Sequence, residues 1–169
     1  MRRRQIPEAS APPLSIRIAR FEEVAAILRL IERAVEQGCR GQYDEAQRRA
    51  VVVGYASSLF VDALGPYETF VAEIGRQLAG FAQLDLRGGG LRALFVDGSL
   101  QGQGLGRALL AAVEQRARDA GCARLGGAMS LNAVSFYTRA GFRPFDGPAR
   151  LLTAGIPVPV LRMEKRLRT

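Results

Sequence analysis

"LRALFVDGSLQGQGLGRALL", residues 91–110, carries three glycines within five residues between an apolar run and a helix-like run. The first run, "LRALFVD", has the composition of a strand. From Leu105 onward, Leu109, Ala112, Val113 and Ala117 recur at helical spacing until Gly121, a left-handed stop. A strand that feeds a glycine-rich loop and then a helix N-terminus is suited to holding an anion. The N–H groups from Gly102 to Arg107 have no helical partners, point outward, and lie at the positive end of a dipole of about half a charge. Glycine removes the Cβ atoms that would hold an anion away, and Arg107 can add a charge-assisted bond. Two phosphate loops do not fit. In a Walker loop a lysine and a hydroxyl are needed where Arg107 and Ala108 stand, and GxGxxG would put glycine at Arg107 or Leu109. What remains is Q-x-x-G-x-G, in Gln101, Gly104 and Gly106.

Working outward, "LSIRIA" at 14–19 alternates like a strand, and the segment after it places Val24, Ile27, Leu28, Ile31 and Val35 on one helical face before Gly38. A second helix is expected over 44–59. "ETFVAEI", "LAGFAQLDL" and "LRALFVD", joined by "GRQ" and "RGGG", read as an antiparallel meander. After the loop helix come a strand near 122–129 and a short helix in "NAVSFYTRAG", with Asn132 as cap and Gly141 as terminator. Two final strands follow, around a Gly-Ile-Pro turn. Pro157 and Pro159 argue against a fully paired position there. The expected order is therefore β, α, α, three β, α, β, α, two β.

With 169 residues, the chain reads as a disordered tail over 1–13 and a single domain over 14–169. No apolar run is long enough for a membrane span, and the tail lacks the apolar core of a signal peptide. Cys39 and Cys122 lie far apart without metal-ligand spacing and read as buried small hydrophobes, in keeping with a reducing cytoplasm and no metal. The net charge is +8, and every basic residue except Lys165 is arginine. The arginines are scattered, with no stripe interleaved with aromatics, so no specific nucleic-acid partner is expected. The chain has no histidine. That excludes Ser-His-Asp and Cys-His nucleophiles and leaves acid or base work to Tyr, Asp, Glu, Lys or solvent.

"LFVDGSLQGQGLGRALL" followed by "MSLNAVSFYTRAGF" resembles the GNAT superfamily of acyl-CoA-dependent N-acyltransferases, closely over residues 91–142 and in element order over most of the chain. The resemblance implies an α+β, three-layer fold, a mixed, mostly antiparallel sheet of about six to seven strands flanked by about four helices, with splayed fourth and fifth strands and acetyl-CoA, as co-substrate, entering the gap. It implies that Leu94, Phe95 and Val96 pair with pantetheine, and that Gly102, Gln103, Gly104, Leu105, Gly106 and Arg107 hold the pyrophosphate. It places Asn132 on the CoA arm and Tyr137 near the thioester sulfur, as the catalytic acid. A homodimer through the terminal hairpin is a further expectation.

A phenol with a pKa of about 10 is protonated at neutral pH and can give its proton to a departing thiolate. The amine acceptor must shed a proton before it attacks. Glu73, Asp85, Asp97 or water could take it. Members of the family often carry a glutamate on the fifth strand, where this chain reads "GGAMS". A backbone N–H near Val96 is the expected oxyanion donor. The acceptor, a small molecule or a peptide amine, is expected between residues 24–62 and 148–160, among Tyr43, Asp44, Asp62, Tyr67, Arg40, Arg48 and Arg49. An inactive acyl-CoA sensor is the alternative function.

Overall fold

The computed structural model of the chain describes residues 12–62 and 67–167, with the backbone alone for 58–62. Most of the expected tail, residues 1–11, lies outside them; Pro13 is already held, its carbonyl accepting the Gly75 N–H at 3.1 Å. The elements run β1 (Leu14–Ile18), α1 (Val24–Gly38), α2 (Glu45–Asp62), β2 (Tyr67–Ile74), β3 (Gln77–Asp85), β4 (Gly90–Val96), α3 (Leu105–Asp119), β5 (Arg124–Ser130), α4 (Val134–Arg139), β6 (Arg143–Thr153) and β7 (Ile156–Arg166). This is the expected order. The seven strands form one sheet, β1-β2-β3-β4-β5-β7-β6.

Alternation along the strands divides the core in two. Leu84 and Leu91 face α3, packing with Leu109, Val113 and Phe142. Val71, Phe81 and Ala93 face α1, against Ile27, Ile31 and Val35. Leu30 and Ala34 widen the buried stripe of α1 beyond the five expected positions. Gly38 is the last residue of that helix, and Cys39 caps it in ordinary right-handed geometry. Asp44 starts α2 as a reciprocal cap: its carboxylate accepts the Gln47 N–H at 2.8 Å, and Gln47 Oε1 accepts the Asp44 N–H at 3.2 Å. The last hairpin turns at Ala154 and Gly155, both with positive φ, a two-residue turn. β7 lies between β5 and β6, but its pairing with β5 stops at Val160. Pro157 and Pro159 are therefore paired only on the β6 side, which reconciles two prolines with an interior strand.

Every pairing is antiparallel except that of β4 with β5. Those two strands share one parallel rung, Gly90 with Gly126, beside a bond from the Gly126 N–H to the Gly89 carbonyl at 2.9 Å. A Cβ on Gly127 would run into the Leu91 carbonyl oxygen, and one on Gly89 into that of Arg124. Glycine is what lets the two backbones approach at this rung. Beyond it the strands part.

Candidate functional site

Past Gly90, β3 is the only strand that pairs with β4. The Asp97 N–H donates to the Ala79 carbonyl at 2.9 Å, and Phe95 stands opposite Phe81 in the register. Antiparallel alternation therefore turns the peptide groups of Leu94 and Val96 toward the gap, where no strand receives them. Their side chains pack toward α3. The Phe95 ring lies on the other face, stacked on Phe81 at 5.7 Å and met edge-on by Tyr55 at 5.2 Å. A cavity of about 620 Å³ occupies the gap and continues along α2 and the β6–β7 hairpin.

The glycine loop lies at the C-terminal end of β4. Gly102 and Gly104 have φ of +82° and +83°, and a Cβ on either would meet nothing within 4 Å. Gly104 is the N-cap of α3 and offers no side-chain cap, while Leu105 is buried and anchors the first turn. No described residue accepts a hydrogen bond from the backbone N–H groups of 102–107. Gln103 and Arg107 are exposed, and Arg107 has no described ion-pair partner. At Gly106 the added carbon would touch the Phe136 ring at 3.4 Å, so α4 closes against the loop there. The result is an open row of unpartnered donors at a helix N-terminus, as the sequence predicts.

Asn132 is not a helix cap. It lies within a 3₁₀ turn, Leu131–Ala133, ahead of α4. Its Oδ1 accepts the Cys39 thiol at 3.5 Å, which leaves the amide nitrogen for other partners. The last turn of α1 supports both parts of this region. The side chain of Gln37 fills the space beside Gly98, and a Cβ on Gly38 would be 3.5 Å from Gln101 Nε2 and 3.8 Å from Asn132 Nδ2.

Tyr137, on α4, is 4% exposed and lines the cavity. Its ring is held edge-on by Phe136 at 5.0 Å and Phe142 at 5.3 Å. None of the described residues hydrogen-bonds its hydroxyl. Burial pushes the phenol well above its ordinary pKa, and the nearby Tyr55 pushes it further. Tyr55 comes from the opposite face of the sheet, and its hydroxyl donates to the Arg92 carbonyl at 3.0 Å. Burial raises it to about 12, against a lowering effect of Arg92. The two phenols thus line one cavity from opposite faces of the sheet. Sequence reasoning missed Tyr55 because α2 shows only a weak apolar periodicity.

The candidate bases are less available than expected. Asp97 is 3% exposed and tied on both oxygens. Oδ2 accepts from Arg33 at 2.9 and 2.7 Å, and Oδ1 from the Ser99 N–H at 3.1 Å and hydroxyl at 2.7 Å. Burial acts to raise this carboxyl, and the Ser99 and Arg33 bonds outweigh it, holding it below the usual range. Glu73 is two strands from the gap and bound to Arg17 at 2.5 and 3.2 Å. Only Asp85 lines the cavity. It accepts from the Arg87 side chain at 3.3 Å and from the Arg87 N–H at 3.0 Å, which together outweigh its burial and lower its pKa.

Some acceptor-side candidates also have other employment. The Tyr43 hydroxyl donates to the Pro159 carbonyl and accepts the Leu131 N–H, both at 2.8 Å. Arg40 and Arg48 pair with Glu36 at 3.3 Å, and Arg49 with Glu45 at 2.9 Å. Tyr67 lies under Arg92, which also donates to its hydroxyl at 3.1 Å. The Asp62 side chain lies outside the described residues. Among the described residues there is no cluster suited to a metal ion, and no helix is long and apolar enough to cross a membrane.

The fold is shared with solved structures. A GCN5-related N-acetyltransferase from Rhodopseudomonas palustris superposes with a TM-score of 0.83 at 24% identity, over 94% of this chain and 97% of that one. PaiA N-acetyltransferase from Thermoplasma acidophilum, in complex with coenzyme A, gives 0.77 at 19% identity, over 91% and 99%. A Salmonella typhimurium protein with its cofactor acetyl-CoA gives 0.61 at 21% identity, over 93% and 95%. No curated protein matches the sequence. Residues 43–167 match the family described as Acetyltransferase (GNAT) domain. Since that stretch covers well over half of the chain, from the start of α2 through the loop, the gap and the final hairpin, this protein belongs to the GNAT acetyltransferase family.

Proposed function

We propose that the protein moves an acetyl group from acetyl-CoA to an amine by direct attack in a ternary complex. The observation that carries this reading is the gap itself. Leu94, with its free peptide group, and Tyr137, with its unpartnered hydroxyl, line it, and the glycine loop lies off the C-terminal end of β4, where Gly106 stands beside Val96. The fit to coenzyme A is chemical as well as spatial. Unpaired N–H groups at a helix N-terminus suit a pyrophosphate, and a strand edge suits the amides of pantetheine.

Acetyl-CoA supplies the activated acyl group when bound. Residues 102–107 hold the pyrophosphate, with Arg107 as an added cation, and the edge over Leu94, Phe95 and Val96 aligns the arm. Asn132 gives its amide hydrogens to that arm, while Cys39 occupies its oxygen. The N–H near Val96 stabilises the carbonyl oxygen as it gains charge. Tyr137 donates its proton to the departing sulfur. Its raised pKa keeps it protonated across the working pH range.

Calorimetric titration with acetyl-CoA, beside NAD, tests the cofactor assignment, with binding of acetyl-CoA alone expected. Tyr137→Phe tests the acid: turnover should fall by about 100- to 10,000-fold with little change in acetyl-CoA affinity. Equal turnover would remove the role. The tied carboxylates favour a rival, a module that binds acyl-CoA without turnover. Thiol release with any amine counts against it.

A further inference from the structure

The titratable groups that line the cavity are Cys39, Tyr43, Tyr55, Asp85, Arg92 and Tyr137, and none of the described lining from β5, β6 or β7 can titrate. Burial pushes the thiol and the three phenols up, and the Arg87 bonds keep Asp85 down, so none of these five changes charge near neutrality. No described carboxylate is both in the cavity and free of an arginine. The acceptor-side wall is mostly apolar, with Val51 from α2, Leu151 and Leu152 from β6, and Val158 and Val160 from β7; Thr153 is its uncharged polar member on β6, and the Tyr43 hydroxyl is already bonded. Leu152 is 77% exposed, and Leu151 is 41% exposed.

We infer that the acceptor is a single-charge amine on an apolar body that arrives at the thioester already neutral, no enzyme side chain taking its proton beforehand. The inference rests on the acetyl-transfer reading above. Physically, the wall does what a base would otherwise do, because an apolar surround disfavours an ammonium ion. A polyamine would bring further charges to a lining whose only described carboxylate is already paired. An arylalkyl body instead covers Leu151 and Leu152, and burying one such side chain changes affinity by about ten-fold or more. In the transfer, the nitrogen lone pair forms the N–C bond and the C–S bond breaks. Sulfur takes the Tyr137 proton, the surplus proton on nitrogen leaves to water, and solvent restores the phenol.

The test measures kcat/KM for three arylalkylamines whose own pKa values differ over about two units, beside spermidine, with the full chain and saturating acetyl-CoA. The expected result is a rise of about ten-fold per pH unit up to each amine's own pKa, so the curve moves with the amine. Each arylalkylamine should exceed spermidine by about ten-fold, and Leu152→Asp should raise its KM by about ten-fold with acetyl-CoA affinity unchanged. Asp62→Asn removes the other carboxylate at the end of α2 and should leave the profile in place. A plateau at one pH for every amine, a profile flattened by Asp62→Asn, spermidine as the equal or better substrate, or no arylalkylamine acetylated would each overturn the inference. Failure of the transferase reading is seen separately, as absent acetyl-CoA binding in the titration or as no thiol release with any amine, spermidine included.

Discussion

Tyr43→Phe separates two roles for one buried phenol. The hydroxyl joins Pro159, 116 residues away in sequence, to Leu131, 88 residues away, through two bonds of 2.8 Å. Removing the oxygen keeps the ring packed but leaves the Leu131 N–H without its acceptor and the Pro159 carbonyl without its donor. An ordinary neutral bond contributes about 1 kcal/mol, and an orphaned buried group costs about 1–3 kcal/mol, so a loss of about 2 kcal/mol is expected for these part-buried partners. For a domain of this size that is a fall in Tm of about 4–8 °C. Urea unfolding should show the same loss through a lower midpoint at constant m. Because Leu131 directly precedes Asn132, KM for acetyl-CoA should rise while KM for the amine changes little. An unchanged Tm with a raised amine KM would refute this, and would return Tyr43 to the acceptor site.

Gly104→Val forces a β-branched residue to a φ of +83°; the expected cost is about 1–2 kcal/mol, with acetyl-CoA affinity reduced, and unchanged affinity in calorimetry would contradict the loop assignment. Asp97→Asn should destabilise by about 1–3 kcal/mol, since it weakens the bonds to Arg33 and Ser99, and should leave the shape of the pH–rate curve alone. A curve that loses its acid limb would make Asp97 the base after all. The Arg17 bonds outweigh burial and hold Glu23 at about 2, below its ordinary 4.5. A lowered carboxyl stabilises above its unfolded pKa, so about 3 kcal/mol present at neutral pH should fade as pH drops from about 4.5 toward 2. Chemical unfolding across that range should show it, and Arg17→Met should flatten the dependence.

What the sequence made legible was local or repetitive. The strand–loop–helix at 91–110, the meander and the left-handed stops at Gly121 and Gly141 depend on neighbours within a few residues, and each has its expected place. The parts that were not legible depend on distant partners. Asn132 looks like a cap until Cys39, 93 positions away, takes its oxygen. Asp97 ends the expected cofactor strand and so looks available, but Arg33 on α1 holds it. Tyr55 follows no clear stripe on α2, and only the parting of β4 from β5 brings it near Tyr137. Pro157 and Pro159 gave a correct signal of incomplete pairing, without indicating that β5 ends short of them.

The lone rung between β4 and β5 also bears on how long the protein persists in a cell. The two halves of the sheet are joined by one backbone pairing and by side-chain packing from α2 and α3. Under the proposed function, a bound arm in the gap bridges them and stabilises the folded chain by about 1.4 kcal/mol for each decade of ligand above its Kd. The fraction of chains open to proteolysis then falls as acetyl-CoA accumulates. Under that reading, persistence of the chain is coupled to the supply of its acyl donor through mass action alone.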